Sequence, residues 1–168
     1  MYPEPLEELP PPWYRKPLII IGAIFVIVLL VSITFSQTIE GIIQSKRVNQ
    51  DKIIFSFATV IFSNNTLEQL QNEYLLNSHR EIKACLFGKV NDSYYYIERV
   101  QFPKIINANA IHIQSISCPK EVLIDLHSHP INSCLASNQD IATYQDIKAR
   151  SPQAKMMVMC SKTRFALV

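Results

Sequence analysis

The chain has 168 residues, 48% of them hydrophobic and 18% charged, at a mass of 19.2 kDa; that is one domain's worth, too apolar for general disorder. A formal net charge of +2 provides no basic field to hold nucleic acid. The three glycines, Gly22, Gly41 and Gly88, are scattered, whereas Walker and dinucleotide loops need several within a few residues, so neither nucleotide nor nucleic acid is an expected partner.

Residues 1–17 form a tail rich in proline and glutamate, expected to be extended or disordered. Leu18–Phe35 reads LIIIGAIFVIVLLVSITF, without a charged residue. Such a stretch is about 27 Å long as a helix, close to the hydrocarbon thickness of a bilayer. Trp13 and Tyr14, beside Arg15 and Lys16, resemble interfacial anchors. A buried core helix of this length would keep a polar face. A cleaved signal peptide would have a shorter apolar stretch and a small-residue cleavage site, which SITFSQT does not offer. The expectation is a single-pass transmembrane helix at 18–35, hence a membrane localisation and contact with the lipid bilayer. Arg15 and Lys16 on one side are balanced by Lys46 and Arg47 on the other, so the side facing the cytoplasm stays open.

Residues 36–52 are expected to link the helix to a folded domain over 53–168. Ile53–Phe62 reads as a strand, and Asn64–Thr66 as a helix start for the amphipathic face of Leu67, Leu70, Tyr74 and Leu75. Ile82–Val90 and Tyr94–Phe102 form a hairpin about a turn at 91–93. Ile111–Ile116 and Val122–His127 are further strands, Ser137–Arg150 a helix stopped at Ser151-Pro152, and Lys155–Cys160 and Arg164–Val168 closing strands. The class is α+β, a sheet flanked by helices.

Two of the four histidines stand in His127-Ser128-His129-Pro130, at the end of an apolar strand. Side chains at i and i+2 of a strand share a face, so both imidazoles can converge on one ion. Ser137 and Asp140 follow at a helix start. Ser-x-x-Asp there reads as a capping box. It also reads as a third metal ligand, Asp140, with Ser137 facing the same cavity. Two histidines and one carboxylate leave a coordination position open, as catalytic zinc sites do and closed structural sites do not.

His127-Ser128-His129, seven residues, Ser137, two residues, Asp140 resembles the motif of the JAMM/MPN+ metalloproteases. Glu81, seven residues before Gly88 on an apolar strand, has the spacing of that family's upstream glutamate. Cys134 stands where the family commonly has a cysteine in its active-site loop. The resemblance implies an MPN-like (cytidine-deaminase-like) mixed sheet, with zinc held by His127, His129 and Asp140. It implies Glu81 as general base and then general acid, and Ser137 as hydrogen-bond donor to the oxyanion. The implied substrate is a peptide or isopeptide bond after the C-terminal glycines of a ubiquitin-like or sulfur-carrier protein. Ile131-Asn132-Ser133 lacks the glycine common after the motif, little room remains for substrate-clamping insertions, and no C-terminal helix is expected, so a partner could complete the fold. The expected function is that of a membrane-anchored zinc isopeptidase; the alternative is a non-catalytic MPN-type docking module at the membrane.

Cys85, Cys118, Cys134 and Cys160 show no Cys-x-x-Cys pairing, which argues against a four-thiolate zinc site. Cys85 reads as core filling and a disulfide at Cys134 is open. Asn64 and Asn91 match glycosylation acceptors at a rate chance explains. His79 is expected at the surface, His112 in a strand, and Tyr94–Tyr96 as strand residues covering both faces.

Overall fold

The computed structural model describes residues 15–63, 65–108, 113–129 and 133–168; residues 1–14, Asn64, residues 109–112 (with Ile111 and His112 of the expected strand) and residues 130–132 lie outside them. Residues 1–37 and 38–168 are separate compact units.

Helix α1 spans Arg15–Gln44. Its side chains from Leu18 to Val31 are exposed. Among the described residues no helix is long and apolar enough to cross a membrane. The transmembrane helix expected at Leu18–Phe35 is therefore corrected, and with it the membrane localisation and the bilayer contact that depended on it.

The unit from residue 38 is α+β. After the end of α1 come β1 (Lys46–Arg47), β2 (Lys52–Ile54) and β3 (Thr59–Phe62), then α2 (Thr66–Leu76), β4 (Lys83–Asn91), β5 (Tyr94–Gln101), β6 (Ile105–Ala108), β7 (Ile113–Ser115), β8 (Ile124–Ser128), α3 (Asn138–Arg150), β9 (Lys155–Ser161) and β10 (Arg164–Leu167). Eight strands form one mixed sheet in the order β1-β10-β9-β8-β4-β5-β3-β2, and β6 pairs with β7 apart from it. The pairs β3–β5 and β8–β9 are parallel and the rest antiparallel. The two end strands of the order, β1 and β2, approach each other, so the sheet is nearly closed and exposes little strand edge.

Two expectations change in detail. The apolar run 53–62 is divided, because Phe55 N–H donates to Ala58 C=O at 2.8 Å and turns the chain, giving the β2–β3 hairpin. Within the segment expected to be a linker, Lys46–Arg47 joins the sheet beside β10. Arg164 of β10 holds it there, its Nη1 donating to Ser45 Oγ at 2.6 Å and to Ile42 C=O at 3.1 Å, a carbonyl of the last turn of α1.

Alternation along the central strands separates two packed layers. Ala84 and Leu86 of β4 and Ile124 and Leu126 of β8 point into the main core, with Val60, Leu70, Ile97, Met157 and Phe165. Cys85 and Phe87 point to the opposite face, where Cys118, Val122, Ala154 and Ile147 of α3 cover them. Asp125 and His127, alternating with Ile124 and Leu126, belong to this second face. Cys85, expected as core filling, is buried there and joined to Cys118 (Cα–Cα 5.6 Å); Cys134 is joined to Cys160 (Cα–Cα 5.0 Å).

Gly88 sits at a bulge between β4 and β5. A Cβ at this position would lie 1.8 Å from the Tyr96 carbonyl oxygen, a backbone atom held in the ladder. Gly88→Ala should therefore cost about 3 kcal/mol or more in a denaturant-unfolding measurement, the range of an overpacked core that cannot yield. The disulfides close loops of 33 and 26 residues. Reduction should lower the unfolding free energy by about 3–4 kcal/mol for each, by the loop-entropy account, and a single Cys85→Ala variant should show its share.

Candidate metal centre

Strand β8 is buried along its whole length and sits between β4 and β9. Ser128, between the two histidines, faces away from them. Its Oγ accepts from Ile82 N–H at 3.0 Å and its own N–H donates to Ile82 C=O at 3.0 Å. His129 N–H donates to Met159 C=O at 3.1 Å, extending the registration onto β9. Both backbone neighbours of the imidazoles are thus fixed, and the two rings project on the same side with centroids 5.0 Å apart.

Asp140 arrives from the first turn of α3. The capping box read from Ser-x-x-Asp is present: Asp140 N–H donates to Ser137 Oγ at 3.2 Å, and Ser137 N–H donates to Asp140 Oδ2 at 2.7 Å. The cap orients the carboxylate toward the imidazoles. His127 Nε2 lies 3.2 Å from His129 Nε2 and 3.2 Å from Asp140 Oδ1, while His129 Nε2 lies 3.5 Å from Asp140 Oδ2. Ligand atoms about 2.0–2.2 Å from one tetrahedral ion stand roughly 3.3–3.5 Å from each other. The separations are near that value, with the two imidazoles facing different oxygens of the Asp140 carboxylate, and His127, His129 and Asp140 could hold a metal ion.

The tautomer of His129 agrees. Its Nδ1 is 3.0 Å from the Ser133 carbonyl, which can only accept, so Nδ1 carries a proton and Nε2 presents a lone pair in the neutral ring. Ser133 was not singled out from sequence; a histidine ligand's need for a partner on its other nitrogen was the available signal. Glu81, just before β4, is buried with its Oε1 4.0 Å from His129 Nε2. The residues proposed as ligands and Glu81 therefore come together, with Ser137 one turn from Asp140 at the helix cap. Cys134, between Ser133 and Ser137, is tied to Cys160 on β9, which anchors the loop joining β8 to α3. His79 lies outside the cluster, on an exposed segment.

The electrostatics favour a cation. Burial alone would push the Asp140 carboxyl up. Hydrogen bonds to His127 and His129, the His127 charge and the Ser137 contact outweigh burial and hold it well below the usual carboxylate range. Burial would lower His129, yet the hydrogen bond and charge of Asp140, the charge of Glu81 and the Ser133 carbonyl raise it above its ordinary value. In the metal-free chain a proton on His129 stabilises the fold fully below the ordinary histidine pKa. That contribution is lost as pH rises through the raised value.

A divalent ion competes with this proton for the same lone pair. Apparent affinity should therefore rise with pH, by about tenfold per unit for each proton released below the His129 pKa, as measured by calorimetry in buffers of different ionisation enthalpy. Asp140→Ala should abolish binding and also cost the metal-free chain about 1 kcal/mol, through loss of the capping box. His129→Ala should abolish binding without touching the cap.

No family model matches this chain, and no curated protein matches it.

Proposed function

We propose that the chain is a zinc-dependent peptidase or isopeptidase of the JAMM/MPN+ type, cleaving the amide bond after the C-terminal glycines of a ubiquitin-like protein. The observation that carries this reading is the arrangement of Glu81. A buried carboxylate stands 4.0 Å from His129 Nε2, beside the His127, His129 and Asp140 group that could hold an ion. Two nitrogens and one oxygen suit zinc, and a bound zinc ion would supply Lewis acidity and a nucleophilic water near neutral pH.

The chain's own residues do the rest. Glu81 accepts the proton of the attacking water at Oε1 and returns it to the leaving amine, so one carboxylate serves as base and then acid. The buried strands β4 and β8 hold Glu81 and the imidazoles in fixed register, which limits the reorganisation each turnover requires. Ser137 Oγ accepts from Asp140 N–H and keeps its hydroxyl proton for donation to an oxyanion. The seven-residue spacing between Glu81 and Gly88 falls where β4 makes its bulge against β5.

A non-catalytic docking module would need the metal group and have no use for a buried Glu81 facing it. Glu81→Gln should retain one zinc per chain and lose cleavage of a ubiquitin-like fusion by about 10²–10⁴-fold. Ser137→Ala should reduce kcat by about 10²-fold or more and cost about 1 kcal/mol of stability through the cap. Undiminished cleavage by Glu81→Gln would sink the mechanism, and zinc binding with no cleavage by the wild-type chain would favour the docking reading.

A further inference from the structure

Beside the metal centre lies a cavity of about 390 Å³ whose lining residues have no part in holding an ion. One wall is a single stripe of α3. Gln139, next to the ligand Asp140, is followed by Thr143, Ile147 and Arg150 at helical spacing. The stripe leads away from the metal group for about 16 Å at ~1.5 Å per residue, enough for four or five residues of extended peptide. Ser115 of β7, Lys83 and Asp125 also line the cavity.

Those two belong to the face that carries the site. Lys83 is the cross-strand partner of His127, and Asp125 precedes His127 by two positions on β8. Lys83 Nζ and Asp125 Oδ1 form an ion pair whose side chains are 11% and 3% exposed. A buried pair of this kind costs desolvation that apolar residues of similar volume would avoid. Asp125 engages one of the three N–H donors of Lys83, and a ligand in the cavity can take another. Arg150 adds a planar guanidinium at the far end of the stripe. The cavity therefore presents two cationic side chains against one carboxylate, with Ile147 and neutral polar residues making up the rest of its lining.

We propose that this groove is a specificity subsite for a substrate segment with an acidic side chain a few residues, up to about five, from the scissile bond. Arg150 takes the carboxylate, and Lys83, positioned by Asp125, takes a neighbouring peptide oxygen. The assignment rests on the peptidase reading for the identity of the ligand as a peptide. It deepens that reading by setting the charge of the substrate segment that leads to the cleaved bond.

The test uses fluorescein-labelled hexapeptides ending in Gly-Gly, with Glu, Gln or Lys scanned through the preceding four positions. Their binding to the zinc-loaded full chain carrying Glu81→Gln is followed by anisotropy. At one position or more, the Glu peptide should bind about tenfold tighter than the Gln peptide and the Lys peptide weakest, a preference that shrinks as salt is raised. Arg150→Gln, at an exposed helix position, should erase the difference, and Lys83→Met should weaken all three peptides. Should Lys83→Met fail to fold, the Arg150 variant decides alone. Equal binding of the three peptides throughout, or an unchanged preference in Arg150→Gln, overturns the proposal. Cleavage by the wild-type chain separates the two readings. Acid-selective binding without cleavage removes the peptidase assignment and leaves the groove standing. Cleavage without acid selectivity removes the groove alone.

Discussion

Two imidazole nitrogens 3.2 Å apart on one buried strand are the constraint around which the rest of the unit is arranged. Two neutral lone pairs at that distance repel, and neither ring can satisfy the other without a shared proton or cation. Strand β8 cannot relieve the conflict by shifting, because Ser128 is locked to Ile82 on one side and His129 to Met159 on the other. A carboxylate from α3 and another from the approach to β4 close around the pair instead. Each is delivered by an element with its own reason to be there: α3 by its cap, β4 by its register against β8.

This division of labour explains why the candidate site was more legible in the sequence than the fold. His127 and His129 lie two apart on a strand, and Ser137 and Asp140 three apart at a helix start. Both spacings are local, so strand and helix geometry alone convert them into directions. Glu81 is 46 residues from His127, and only the resemblance singled it out from other carboxylates. The partners that tertiary packing supplies, the Ser133 carbonyl and the Lys83–Asp125 pair, were not anticipated. Yet Lys83 is two residues from Glu81 and Asp125 two from His127, so the same alternation rule placed them on that face.

Of the fold, the β4–β5 hairpin and the elements from β8 to β10 were readable from apolar runs between turn residues. Lys46–Arg47 was not. A two-residue charged segment has no strand signal, and its place beside β10 is decided by Arg164 reaching back to Ser45 and Ile42. The break between β2 and β3 was hidden because both halves of IIFSFATVIF are apolar, and β6 because IINA carries no alternation. Hydropathy, length and the flanking Trp13, Tyr14, Arg15 and Lys16 also read Leu18–Phe35 as a bilayer span. Disulfide connectivity cannot follow from spacing, and it turned an apparent core cysteine at position 85 into one end of a crosslink.

The Asp140 carboxylate carries a further consequence. One of its oxygens faces His127 while the other receives the Ser137 amide at the amino end of α3, where the helix dipole is positive. A single negative charge is thus divided between two positive poles. A cation seated between the imidazoles draws electron density from the oxygen that caps the helix, and a tighter cap leaves less for the cation. Occupancy of the centre and tightness of the cap would therefore be opposed draws on one group, and the amides of that turn would report what the centre holds.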